Sequence, residues 1–133
     1  MRRRFLVTGG AGYVGSHVVA ALHDLGGRVV VLDNLRTGHR AAVPPGVPLV
    51  EADIADAAVM DRMLADGSWD AVFHFAAMSL VGESMREPMR YLLDSGAVGM
   101  RLVDACVRHG VPRFVLSSTA ALFNVDSPDP IGE

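Results

Sequence analysis

The chain contains no lysine; all twelve of its basic residues are arginine. No lysine ammonium is therefore available for chemistry anywhere in these 133 residues. Cysteine is nearly as scarce. Cys106 stands alone, which excludes an intrachain disulfide, and its place in a helical pattern reads as a small buried hydrophobe. The only tyrosines are Tyr13 and Tyr91. Long apolar runs are also missing. Arg2-Arg3-Arg4 is the one basic run, and it reads as a solvated lead into a strand. It is too short, and the segment after it too broken by Gly9 and Gly10, for a signal peptide or a membrane-spanning helix. A net charge of -3 and a pI near 5.9 argue against a nucleic-acid partner. Neither an internal repeat nor a low-complexity segment is visible. These absences lead to the expectation of a cytoplasmic protein whose partners are neither membrane nor nucleic acid.

What is present is a glycine turn. Thr8-Gly9-Gly10-Ala11-Gly12-Tyr13-Val14-Gly15 has the spacing G-x-x-G-x-x-G. It follows the apolar run Phe5-Leu6-Val7 and opens a helical pattern, the layout of a strand, a phosphate-binding turn and a helix N-terminus. Gly9 permits a tight turn, Gly12 lets backbone approach a pyrophosphate, and Gly15 lets the helix pack on the strand. The helix end adds unpaired N–H groups and a partial positive charge. Asp33 closes the next apolar run, Val29-Val30-Val31-Leu32. A carboxylate there accepts hydrogen bonds from a ribose 2′-OH and repels a 2′-phosphate, which favours NAD over NADP.

Half the residues are hydrophobic, enough for one domain with a core. Apolar runs alternate with helical patterns, which predicts an α/β, Rossmann-type doubly wound parallel sheet. Five strands are expected, near 4–8, 28–32, 48–51, 70–75 and 113–117, in the order 3-2-1-4-5 with the nucleotide across their carboxyl ends. The first helix is expected from Tyr13 to Leu25, burying Val14, Val18, Ala21, Leu22 and Leu25. Asp56 should cap a second, and a long third should run from Met89 to His109, stopped by Gly110 and Pro112. The dinucleotide-binding domain is expected over 1–123, followed by a polar tail over 124–133. His74 reads as a strand histidine with a satisfied hydrogen bond. Asp53, Asp56 and Asp61 lack metal-ligand spacing, so no metal is expected.

Several further segments resemble the extended short-chain dehydrogenase/reductase family, and in particular its sugar-nucleotide 4-epimerase branch. Thr8 to His17 is similar to the opening of those enzymes, as are Leu32-Asp33-Asn34-Leu35 and the pair Asp53-Ile54, which in the family contacts the adenine end. The strongest likeness is His74-Phe75-Ala76-Ala77-Met78-Ser79-Leu80-Val81-Gly82-Glu83-Ser84. Its Val-Gly-Glu-Ser element is more typical of the epimerases than of the dehydratases. Ser117-Ser118-Thr119-Ala120 resembles the fifth-strand element with the catalytic Ser/Thr, and Pro130-Ile131-Gly132-Glu133 an element that follows it.

The resemblance implies NAD as cofactor. The turn contacts would be Gly9, Gly12, Tyr13, Val14 and Gly15, with Asp33, Asn34, Asp53 and Ile54 at the adenosine half. Phe75, Ala76, Ala77, Ser79 and Ser117 would complete the set, and Thr119 would be the catalytic hydroxyl. It also implies a UDP-hexose substrate and a homodimer through the helix around 89–109. In the family mechanism a tyrosine deprotonates the sugar 4-OH, and hydride passes to the nicotinamide and returns to the opposite face. A lysine four residues after that tyrosine lowers its pKa.

This chain departs from the pattern in definite places. The Tyr-x-x-x-Lys pair is not among its residues. The chain is therefore expected to be the N-terminal part of such an enzyme, ending before that pair, the remaining strands and the sugar-nucleotide domain. Phe123-Asn124 stands where Tyr-Gly is usual. The stretch Asp94-Ser95-Gly96-Ala97-Val98-Gly99-Met100 lacks an asparagine that faces the nicotinamide half, and its spacing from Pro88 is one residue longer. Three readings stay open: an epimerase by descent, a related sugar-nucleotide dehydratase, and a non-catalytic NAD-binding module.

Overall fold

The computed structural model describes residues 2–66, 68–77 and 85–118. The order is β1 (Arg4–Thr8), α1 (Tyr13–Asp24), β2 (Arg28–Asp33), β3 (Leu49–Glu51), α2 (Ala57–Leu64), β4 (Ala71–His74), α3 (Pro88–Tyr91), α4 (Val98–Arg108) and β5 (Phe114–Leu116). All five strands pair in parallel in the order β3-β2-β1-β4-β5, as the alternation of elements requires. β1 has the expected bounds, β2 runs one residue further to include Asp33, and β3, β4 and β5 are each one or two residues shorter than expected. Tail residues 124–133, and the expected end of the domain at 123, lie outside the described residues.

Successive side chains of each strand alternate between two covered faces. Leu6, Leu32 and Val72 point toward α2 and α4, where they pack with Met60, Leu64, Leu102, Ala105 and Cys106. Val7, Val29 and Val31 point the other way and pack with Val19 and Leu22 of α1. Asp56 caps α2 as expected, accepting the N–H groups of Ala58 and Val59. Cys106 is buried, and burial pushes its thiol up to about 11, so it acts as a hydrophobe.

Two elements differ from expectation. α1 is rotated by about one residue: its buried positions are Gly15 and Val19, while Val14 and Leu25 are exposed. Glycine packing causes this. A Cβ on Gly15 would lie 2.2 Å from the Gly9 carbonyl oxygen, so this position must face the turn, and the helical repeat then carries Val19 and Leu22 inward. The long third helix is not a uniform α-helix. Between α3 and α4, residues Leu92–Ala97 are π-helical. A π segment takes up an extra residue within a helix, in keeping with the longer spacing from Pro88 that the family resemblance implies. The wider turn preserves the phase of α4, so Val98, Leu102, Ala105 and Cys106 all reach the core.

Candidate dinucleotide site

The carboxyl ends of β1, β2 and β4 are in register, with Thr8 opposite Leu32 on one side and His74 on the other. After Thr8 the chain must reverse tightly. Gly9 does so at φ 72°, and a Cβ there would sit 2.5 Å from the Ala76 backbone nitrogen. Gly9 donates its N–H to Leu32 C=O, and Gly12 donates to Gly9 C=O. Ser16 is the first α1 residue whose N–H finds a backbone acceptor, at Gly12. Among the described residues, nothing accepts from the N–H groups of Tyr13, Val14 and Gly15. Those donors, with the positive end of the helix dipole, make an anion cradle. Tyr13 is 83% exposed, so the cradle opens to solvent.

Asp33 is buried beside this turn, only 7% exposed. Its Oδ2 accepts the Ala11 N–H and its Oδ1 accepts the Leu35 N–H, both at 2.9 Å. It therefore fastens the glycine turn to the loop after β2. A carboxylate has about four lone-pair sites, which leaves capacity for ribose hydroxyls. The loop folds back onto the turn: the N–H of His39 donates to Ala11 C=O at 2.9 Å, and a Cβ on Gly38 would lie 3.0 Å from Ala11. Sequence reasoning missed this second clamp. Its only signal was a glycine, Gly38, in a short polar connection.

At the adenosine end, Asn34 donates from Nδ2 to Asp53 Oδ2 at 2.9 Å, and Ala55 N–H donates to Asp53 Oδ1. The Ala55 N–H, then the Asn34 amide, holds the Asp53 carboxyl below its usual range, and burial opposes them only in part. Ile54 is half-buried against the α2 side of the core, so only part of it is open to a ligand.

On the far side, His74 Nδ1 lies 2.7 Å from Thr8 Oγ1, a buried hydrogen bond. Burial lowers the His74 pKa and keeps the ring neutral. A Cβ on Gly99 would come within 3.5 Å of His74 Nε2, so α4 passes close to the ring. Backbone bonds from Phe75 N–H to Thr8 C=O, and from Ser117 N–H to His74 C=O, bring these strand ends together. Phe75 packs beside Val7 and Val31 with Ala76 against the turn; Ala77 and Ser117 are exposed at the same edge. Ser79 and Thr119 lie outside the described residues. The described set therefore joins thirteen of the fifteen expected site residues at one sheet edge.

The cradle, the acid at the end of β2 and the strand order define a dinucleotide-binding α/β protein. The chain belongs to the NAD dependent epimerase/dehydratase family, whose model matches residues 5–133. It is 47% identical to a UDP-glucose 4-epimerase of Azospirillum brasilense over 98% of this chain and 37% of that protein. It is 45% identical to one of Corynebacterium glutamicum, over 98% of this chain and 39% of the other. Among solved structures, it is similar to a UDP-glucose 4-epimerase from Brucella ovis in complex with NAD. The TM-score is 0.90 at 40% identity, covering 98% of this chain and 40% of that one. Another, from Stenotrophomonas maltophila with bound NAD and formylated UDP-arabinopyranose, gives a TM-score of 0.87 at 34% identity, over 96% and 40% of the two chains. The chain thus spans about two fifths of the length of these relatives.

Proposed function

We propose that this chain is the cofactor-holding part of an NAD-dependent UDP-glucose 4-epimerase, acting in the interconversion of UDP-glucose and UDP-galactose in galactose metabolism. The observation that carries the reading is the N–H row of Tyr13, Val14 and Gly15, unpaired among the described residues, beside the buried Asp33. Likeness to UDP-glucose 4-epimerases at 45–47% identity supports the substrate class. Bound NAD would supply a reversible hydride acceptor. The chain's own residues do the holding: the turn binds the pyrophosphate, Asp33 the adenosine ribose, and Asn34 with Asp53 the adenine edge. Thr119 is the proposed hydroxyl on the reacting oxygen. The base tyrosine and its lysine are not among these residues, so turnover requires groups that this sequence does not contain.

We place the protein in the cytoplasm. A single cysteine supports this, and among the described residues no helix is long and apolar enough to cross a membrane. We also propose self-association through the outer side of α3, the π segment and α4. Met89, Leu93, Met100, Val103 and Val107 are exposed there at helical spacing.

Titration calorimetry with NAD tests the cofactor reading. Asp33→Ala should weaken binding by about tenfold or more, since it removes acceptors that are charged. Circular dichroism of the variant checks that the fold survives loss of the Ala11 and Leu35 bonds. Equal affinities in parent and variant would sink the ribose assignment.

A further inference from the structure

The ribose side and the pyrophosphate side of the site meet on Ala11, which is 1% exposed. Its N–H donates to Asp33 Oδ2 and its C=O accepts the His39 N–H, both at 2.9 Å. Ala11 is thus held from two directions, and the loop after β2 closes over it. Of residues 34–39 only Gly38 is buried. A Cβ on Gly38 would lie 3.0 Å from the carbonyl carbon, the carbonyl oxygen and the Cβ of Ala11. Carbon atoms rest comfortably at about 3.5 Å or more, so a side chain at this position would hold the loop off its seat. The backbone angle does not ask for glycine here, because the φ of Gly38 lies outside the left-handed region. The contact with Ala11 does.

The same loop carries the adenosine contacts. Leu35 N–H donates to Asp33 Oδ1, Arg36 N–H donates to Asn34 Oδ1, and Asn34 reaches Asp53 from Nδ2. Past His39 the loop is tied by Arg40 and Glu51, an exposed ion pair that holds it only weakly. Ala11 is fixed and the loop is not, so crowding between them moves the loop. Asn34 and Leu35 would shift with it, while the cradle at Tyr13, Val14 and Gly15 stays in place.

We propose that Gly38 is a positioning residue for the dinucleotide: its missing Cβ lets the loop after β2 seat on Ala11, and that seat sets the span between the adenosine contacts and the pyrophosphate cradle. This rests on the cofactor reading above and deepens it.

Calorimetric titration of the parent, Gly38→Ala, His39→Pro and His39→Ala with NAD tests this, paired with the amide shifts that NAD induces in each. Gly38→Ala should weaken NAD about tenfold, since a site loses affinity when its contacts are no longer held in place beforehand. The induced shifts of Asn34 and Ile54 should shrink, and those of Tyr13, Val14 and Gly15 should match the parent. A role in stability alone would lower the melting temperature without splitting the two groups of resonances. His39→Pro reaches the same seat by another route. It deletes the N–H that bonds Ala11 and pulls φ away from the -126° of His39, with no new atom at position 38. It should show the same loss and the same split, and it decides the matter if Gly38→Ala does not fold. His39→Ala keeps the N–H and should bind NAD as the parent does. A Gly38→Ala chain that folds and binds NAD as tightly as the parent, or loses the induced shifts of both groups equally, would overturn the inference and leave the cofactor reading standing. A parent that does not bind NAD would overturn both.

Discussion

His74 shows how one residue links fold and site. Its ring is buried between the end of β1 and the first turn of α4, bonded to Thr8 directly before the glycine turn. The folded chain resists protonating it, whereas the unfolded chain protonates it near the ordinary imidazole value of about 6.5. Stability from this source is complete above about pH 6.5 and falls as the pH drops below it. Asp53 has a lowered carboxyl pKa, so its contribution is present above about pH 4 and is lost only below that. Urea midpoints should therefore decline between pH 7 and pH 5, before any carboxylate term sets in. The decline should be shallower in His74→Gln. A parent midpoint that is flat over this range would contradict the neutral, buried ring. At this scale the sequence was most legible where residue chemistry leaves little choice. Gly9 and Gly15 have to be glycine because backbone atoms stand 2.5 and 2.2 Å from where a Cβ would be. The double use of Asp33 was not legible, since it depends on which N–H groups the folded loop brings to it.

At the scale of elements, periodicity identified every strand and the order of the sheet but not the rotation of α1. Val14, Val18 and Leu25 repeat at helical spacing, yet the helix turns by the face that lets Gly15 meet Gly9. A hydrophobic pattern reports burial energy alone. Here the steric demand at one glycine contact outweighs it, leaving Leu25 85% exposed. The π segment was similarly hidden: Asp94-Ser95-Gly96 reads as a weak helix, and only the core positions of α4 show what the extra residue must do. The outer side of the same helix carries Met100, Val103 and Val107, three, four and seven residues apart, uncovered among the described residues. Sedimentation should find the parent associating at micromolar concentration, with Val103→Glu weakening the association by about tenfold or more. A clean monomer in the parent would remove this surface from the account.

For the molecule as a whole, the parallel sheet gives the two edges different work. At the edge where the strands begin, Arg4 is bonded to Asp66 and Ser68, lies 4.2 Å from the Trp69 ring centroid, and donates its N–H to Asp70 Oδ2. Those contacts close the structure. At the edge where the strands end, the cradle, Asn34 and Asp53 face outward and Asp33 lies buried beside the turn, with donors and acceptors to spare. The motif and its acid pointed to this edge from the sequence because each residue type answers one feature of a dinucleotide. The sugar chemistry could not be read in the same way, because no Tyr-x-x-x-Lys segment is present in this sequence. The most direct test of the central claim is an amide-resolved NMR titration of the chain with NAD. The account predicts that resonances of Gly12, Tyr13, Val14 and Gly15 move together with those of Asn34 and Ile54, while Arg28 and Arg113 at the opposite edge stay fixed. Shifts confined to that opposite edge, or none at millimolar NAD, would contradict it.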